Sequence, residues 1–256
     1  VINSRDLALR LRRLTVFSVF AICVITAASF WALRQSGQSA VVIPPPPRSE
    51  AKLETLSTGI TPAVNITRNA DAKWLERAAA QTGIPARALR AYVAAAGAAN
   101  LSAPDCGIGW NTVAAIGSIE SAHGAYGGGK LTPAGHAAGP LVGPSLDGNG
   151  FAAIADTDGG VLDGDARWDR AVGPMQFIPT TWEYAGRDGN GDGTADPFNI
   201  DDAALSAAGY LCARGRDLTT ATGWTEAIYS YNQSGSYVVK VRDQAVSYAE
   251  ATGATG

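Results

Sequence analysis

Between residues 14 and 33 the chain reads LTVFSVFAICVITAASFWAL, twenty residues without a charge, and this stretch constrains everything that follows it. A helix of that length matches the hydrocarbon core of a bilayer, whereas the helices of a globular core are usually shorter and keep one polar face. Arg10, Arg12 and Arg13 stand before it and only Arg34 follows at once. The positive-inside rule therefore leaves residues 1–13 in the cytoplasm and carries the rest of the chain outside. A buried helix of a soluble protein and a cleaved export signal are the alternatives. The stretch is long for the apolar part of a signal, and Ala27-Ala28-Ser29 is a weak small-residue site, so an uncleaved single-pass anchor is the favoured reading.

Residues 34–70 change to Ser, Thr and Pro, with four consecutive prolines at 44–47, a composition that favours an extended tether. Residues 71–256 then have the length of one well-cored domain. The formal net charge of −3 supplies no basic excess for a phosphate backbone, which excludes nucleic acid as a partner. Charged residues make up only 17%, and 30 glycines accompany abundant alanine, as suits small-residue helices joined by glycine-rich loops. Apolar periodicity predicts helices near 71–83, 85–99, 111–123, 179–184, 201–214, 225–231 and 237–250. The Gly, Pro and Asp-rich region 127–167 is too long for an ordinary connection and is expected to border a ligand. The fold class read from this pattern is mostly α with long cleft-forming loops.

Export gives the cysteines a meaning, because disulfides persist outside the cytoplasm. Cys23 lies inside the apolar stretch, leaving Cys106 and Cys212 as the candidate pair, with two buried free thiols as the alternative. In the helix near 111–123, Val113, Ile116, Gly117 and Glu120 fall at i, i+3, i+4 and i+7. The carboxylate thus shares a face with apolar side chains and with a glycine that permits close approach. Desolvation there would raise its pKa and let it hold a proton near neutrality, as a general acid must. The plain alternative is a helix-end Glu that is ion-paired or solvated. Ser121 and His123 adjoin Glu120 on the same helix and cannot all converge with it, so a serine hydrolase is rejected.

Asp188-Gly189-Asn190-Gly191-Asp192-Gly193-Thr194 matches the opening of an EF-hand loop, in which alternating oxygen-bearing side chains and a glycine turn wrap a hard cation. The twelfth position, Asn199, lacks the closing Glu. A plain Asp/Gly turn is the alternative. Asp156, Asp158, Asp163 and Asp165 form a second acidic stretch whose spacing fits no complete loop, and it is expected to be a solvated border of the cleft.

Residues 116–124, IGSIESAHG, resemble the catalytic helix of lytic murein transglycosylases of the membrane-bound B type. Gly173-Pro174-Met175-Gln176-Phe177-Ile178-Pro179 is similar to that family's G-x-M-Q-F-x-P segment, and Tyr231-Asn232 with Ser234 and Tyr237-Val238 to its Y-N-x-S-x-x-Y-V segment. The acidic loop at Asp188 agrees in order. The resemblance spans roughly 71–248. It implies a lysozyme-like fold and a single acid/base, Glu120, that cleaves the bond between N-acetylmuramic acid and N-acetylglucosamine. The sugar's own C6 hydroxyl then attacks to leave a 1,6-anhydro end. It further implies that Ser121, Gln176, Tyr231 and Asn232 serve the substrate or position Glu120. It also implies that Ca²⁺ is bound structurally by Asp188, Asn190, Asp192, the Thr194 carbonyl and Asp202, with Asp201 as the fallback for the closing acid. Peptidoglycan glycan strands are the expected partner, alongside the membrane; the sequence names no synthesis or division protein. A hydrolytic muramidase and a non-catalytic wall-binding protein remain open alternatives.

Overall fold

The structure, a computed structural model, describes residues 42–49, 51, 71–139, 141–150 and 152–254. Residues 14–33 lie outside them. Among the described residues no helix is long and apolar enough to cross a membrane.

Helices dominate the described residues, and their ends follow local chemistry. In α1 (Ala72–Thr82) the Asp71 side chain accepts the Trp74 N–H, and Gly83 ends the helix in the left-handed region at φ 71°. Next come α2 (Ala86–Ser102) and α3 (Trp110–Ser121). Two short strands, β1 (Val142–Ser145) and β2 (Arg170–Val172), pair antiparallel with Val142 opposite Val172 and Ser145 opposite Arg170. The region 127–167 is therefore largely a folded-back arm, tied by further bridges at Asp147–Ala153 and Ala155–Trp168. After it, α4 (Pro179–Ala185) begins with proline, whose missing N–H costs nothing at a helix start. The remaining helices are α5 (Ile200–Leu211), α6 (Ala221–Tyr231) and α7 (Gly235–Ala251), capped by Asn199, Thr220 and Ser234. A mostly helical domain is what the periodicity predicted.

The core explains why alanine is so common. Ala88, Ala91, Ala95 and Ala99 of α2 and Ala203, Ala204, Ala207 and Ala208 of α5 are all buried, and these two helices share the largest interface. Small side chains let the backbones approach closely. Helix α3 is the central element: every residue from Trp110 to Gly117 is buried, between α2 on one side and α7 on the other. A Cβ at Gly117 would collide with the Tyr92 hydroxyl of α2, so this glycine sets the α2–α3 spacing. Cys106 and Cys212 form the disulfide, with Cα atoms 5.4 Å apart, joining the approach to α3 to the end of α5. The proline run lies against the domain near α3, α6 and α7.

Candidate active site

Glu120 sits in the last turn of α3, 7% exposed. The helix ends immediately beyond it because Ala122, His123 and Gly124 adopt φ of 50°, 62° and 79°. Non-glycine residues in this region carry a local cost of about 1–3 kcal/mol and concentrate at functional sites. Among the described residues four non-glycine positions have positive φ: Ala122, His123, Gln176 and Arg214. Three of them belong to the segments gathered around Glu120. The Ala122 and His123 amides close the helix end by donating to Ser118 and Gly117 carbonyls, both at 2.9 Å.

The Tyr237 hydroxyl donates to Glu120 Oε1 at 2.5 Å, and Tyr237 is fully buried in the first turn of α7. The Ser234 cap fixes where α7 starts and therefore where this phenol stands. The bond orients the carboxyl at the end of α3. A hydrogen bond to a charged group is worth about 1.5–3 kcal/mol. If Glu120 carries an acid/base reaction, Tyr237→Phe is accordingly expected to lower its kcat by roughly 10- to 100-fold with KM nearly unchanged. An unaltered kcat would remove Tyr237 from the positioning of Glu120.

A tight turn at 173–176 is packed against this helix end. Ser121 Oγ donates to the Pro174 carbonyl at 2.6 Å and accepts from the Gly124 amide at 2.8 Å, so Ser121, 2% exposed, fastens the turn to α3. Tyr231 Oη donates to the Met175 carbonyl at 2.8 Å from the other side, and its ring packs edge-on against Phe177. Gln176, half-buried and at φ 49°, donates from Nε2 to the Gly173 carbonyl at 2.9 Å. Gly173 is required here: its φ is 75°, and a Cβ would strike the Pro197 carbonyl. Asn232, buried, ends α6 by donating its amide to Ile228. The structure thus brings Glu120, Ser121, Gln176 and Tyr231 into one continuous set of packed segments. Tyr237, to which the sequence motif assigns no role of its own, is bonded to Glu120.

His123 turns away from the carboxyl. Its Nδ1 meets the Tyr92 hydroxyl at 3.1 Å and its Nε2 the Tyr248 hydroxyl at 3.0 Å, so it braces α2 against α7. Burial lowers its pKa from 6.5 to about 4. Between those values the unfolded chain binds a proton that the folded one refuses. Stability therefore falls as pH drops from about 6.5 to about 4, by on the order of 3 kcal/mol, and this contribution is constant above and below that window. Urea titrations of wild type and His123→Gln across that range should show the variant's midpoint responding less to acid. Equal responses would contradict the burial of a neutral imidazole.

The Asp188 loop is organised by its own carboxylates. Asp188 accepts the Gly191 and Gly193 amides at 2.7 and 2.8 Å, Asn190 Oδ1 accepts Asp192 N, and Asp192 accepts Thr194 N. Asp202, fully buried, accepts Gly189 and Asn190 amides on Oδ1 and the Asp196 amide on Oδ2, closing both ends of the loop. Asp201 instead forms an ion pair with Arg87. Burial raises the Asp202 pKa. In the other acidic stretch, Asp156, Asp158 and Asp169 bring ligand oxygens within 4.8 Å of one another. Among the described residues that mutual approach is met there and not by the acids of the Asp188 loop. Asp163 and Asp165 are engaged by Arg170, through its amide and its guanidinium respectively.

Residues 156–225 match the family model described as Transglycosylase SLT domain. The matched segment contains β2, the 173–176 turn, α4, the Asp188 loop and α5; Glu120 and Tyr237 lie outside it. No curated protein and no solved structure matches the chain in the corresponding comparisons. On a mostly helical domain, that partial match supports a lysozyme-like fold and a lytic transglycosylase family acting on peptidoglycan.

Proposed function

We propose that this chain is a peptidoglycan lytic transglycosylase that cleaves the β-1,4 bond from N-acetylmuramic acid to N-acetylglucosamine and leaves a 1,6-anhydro end. The observation that carries the reading is the buried Glu120 carboxyl, held at one oxygen by Tyr237 at the end of α3. In the first step Glu120 gives its proton to the glycosidic oxygen as the bond to C1 breaks, and the muramoyl N-acetyl group stabilises the positive C1. In the second the C6 oxygen bonds to C1 and its proton passes to Glu120. The carboxyl ends as it began, and no water is consumed.

Glycosidases that work with two carboxylates need the second one beside the same bond. Other buried acids among the described residues are committed elsewhere: Asp163 to the Asp165 and Arg170 amides, Asp169 to Thr157 and Thr180, Asp201 to Arg87, and Asp202 to the amides of the Asp188 loop. That favours a single acid/base. In this reading Gln176 and Asn232 face the glycan, while Ser121 and Tyr231 shape its border through the carbonyls they hold. Incubation with purified peptidoglycan should lower its turbidity. A turbidity that stays constant would reduce the chain to a wall-binding protein.

Calcium belongs to the same proposal. Asp188, Asn190, Asp192, the Thr194 carbonyl and Asp202 offer only oxygen donors, three of them carboxylates, which is the donor chemistry of a hard divalent cation. The ion would neutralise the Asp202 carboxylate and stiffen the link between α4 and α5. Binding of Ca²⁺ to the folded state at 100 times its dissociation constant would add about 2.7 kcal/mol. The expected result is a melting temperature raised by millimolar Ca²⁺ and returned by chelator, with the rise lost in Asp202→Asn. No shift on adding Ca²⁺ would leave the loop a plain turn. The uncharged stretch 14–33 supports, as part of the proposal, a single-pass anchor that holds the domain on the extracytoplasmic side.

A further inference from the structure

Residues 42–49 have neither helix nor strand, yet they are partly covered: Pro46 and Ser49 are buried and Ile43, Pro45 and Pro47 half-buried, whereas Val42, Pro44 and Arg48 are exposed. Four consecutive prolines favour an extended polyproline conformation, and the segment that carries them lies along the domain. Prolines have no N–H, so the segment is held through its carbonyls, among them Ile43, which accepts from Thr225 Oγ1 at 3.2 Å, and Pro44 and Pro47. Arg242 Nε of α7 donates to Pro44 at 3.1 Å, and Asn111 Nδ2 of α3 donates to Pro47 at 3.0 Å. At the ends, the Ile43 amide donates to Thr225 Oγ1 of α6 at 3.1 Å, and the Ser49 amide donates to Asn111 Oδ1 at 3.2 Å.

Asn111 is the centre of this arrangement. It is fully buried, and its second Nδ2 proton goes to the Ala245 carbonyl of α7 at 3.0 Å. Gly109 leaves room for it, since a Cβ there would collide with Asn111 Oδ1. Asn111 opens α3 and Ala245 lies late in α7, while Glu120 closes α3 and Tyr237 opens α7. The two helices are therefore antiparallel and are pinned at two points. Nine residues of α3 separate them, about 14 Å at 1.5 Å per residue. One pin is the Glu120–Tyr237 bond; the other is Asn111, gripped by the proline segment. A slide of one residue at the far pin would move Glu120 by about 1.5 Å, enough to cost roughly 10²-fold in a positioned reaction.

We propose that residues 42–49 are a strap belonging to the glycan-cleaving unit, and that Asn111, held by it, is a positioning residue for Glu120. The role rests on Glu120 performing the chemistry; the strap itself does not. Preformed polyproline loses little entropy on docking, which is why four prolines suit the task.

The test uses the full chain. In wild type, amide hydrogen exchange at Ile43 and Ser49 should be slowed at least ~10-fold relative to an unstructured peptide. Replacing all four prolines at 44–47 by glycine should abolish that protection and lower kcat by roughly 10-fold, with KM nearly unchanged. Asn111→Ala should give the same split. Exchange of Ile43 and Ser49 at coil rates in wild type, or wild-type kcat in the glycine variant, would overturn the strap. A wild type that protects these amides but releases no glycan would retain the strap and overturn the proposed function instead.

Discussion

Glu120→Gln should abolish glycan release, by about 10³-fold or more, while leaving the melting temperature within a few degrees of wild type. The amide retains the shape of the carboxyl and an oxygen that accepts the Tyr237 hydroxyl, so the 2.5 Å contact between α3 and α7 has an equivalent in the variant. What it loses is the proton. General acid–base transfer is worth about 10²–10⁴-fold per role. In the proposed mechanism Glu120 fills both roles in succession, and the other buried acids, Asp163, Asp169, Asp201 and Asp202, already serve other partners. Release by the variant within tenfold of wild type would sink the assignment.

The second large effect concerns stability. Replacing Cys106 and Cys212 by serine opens a loop whose ends are separated by 106 residues. The chain-entropy model assigns such a closure about 4–5 kcal/mol. For a domain of this size that corresponds to a melting temperature lower by on the order of 10–15 °C. The bridge also ties the approach to α3 to the end of α5, and Leu218 N donates to the Cys106 carbonyl at 2.7 Å, so its loss loosens the base of α3. Thermal unfolding of the double variant against wild type gives the measurement. A change under about 2 °C would show that the folded packing, and not the cross-link, holds that end of α3.

How much of this was legible beforehand depends on distance along the chain. The i, i+3, i+4, i+7 spacing of Val113, Ile116, Gly117 and Glu120 located the carboxyl on a buried face, and the structure shows Gly117 admitting the Tyr92 hydroxyl there. Helix periodicity likewise anticipated the seven helical segments, because it is local. The Glu120–Tyr237 bond spans 117 residues and leaves no trace in spacing; its one local sign was Ser234, three residues before Tyr237, a helix cap that sets where the phenol stands. Asp202 was the expected closing acid, with the adjacent Asp201 as its fallback. Adjacent helical side chains diverge by about 100°, so one faces Arg87 and the other the Asp188 loop. The meeting of Asp156 and Asp158 with Asp169 depends on the folded-back arm, which puts the third acid outside any loop spacing. Composition marked the prolines at 44–47 as extended, but composition alone has no knowledge of the Asn111 amide waiting for Pro47.

The most direct test of the central claim is the mass of the sugar ends released from purified peptidoglycan. Attack by the C6 hydroxyl produces 1,6-anhydromuramoyl ends, each one water lighter than a hydrolysed end and resistant to borohydride reduction. The expected result is anhydro ends from wild type and none from Glu120→Gln. Reducible, fully hydrated ends from wild type would contradict the claim and make the protein a muramidase.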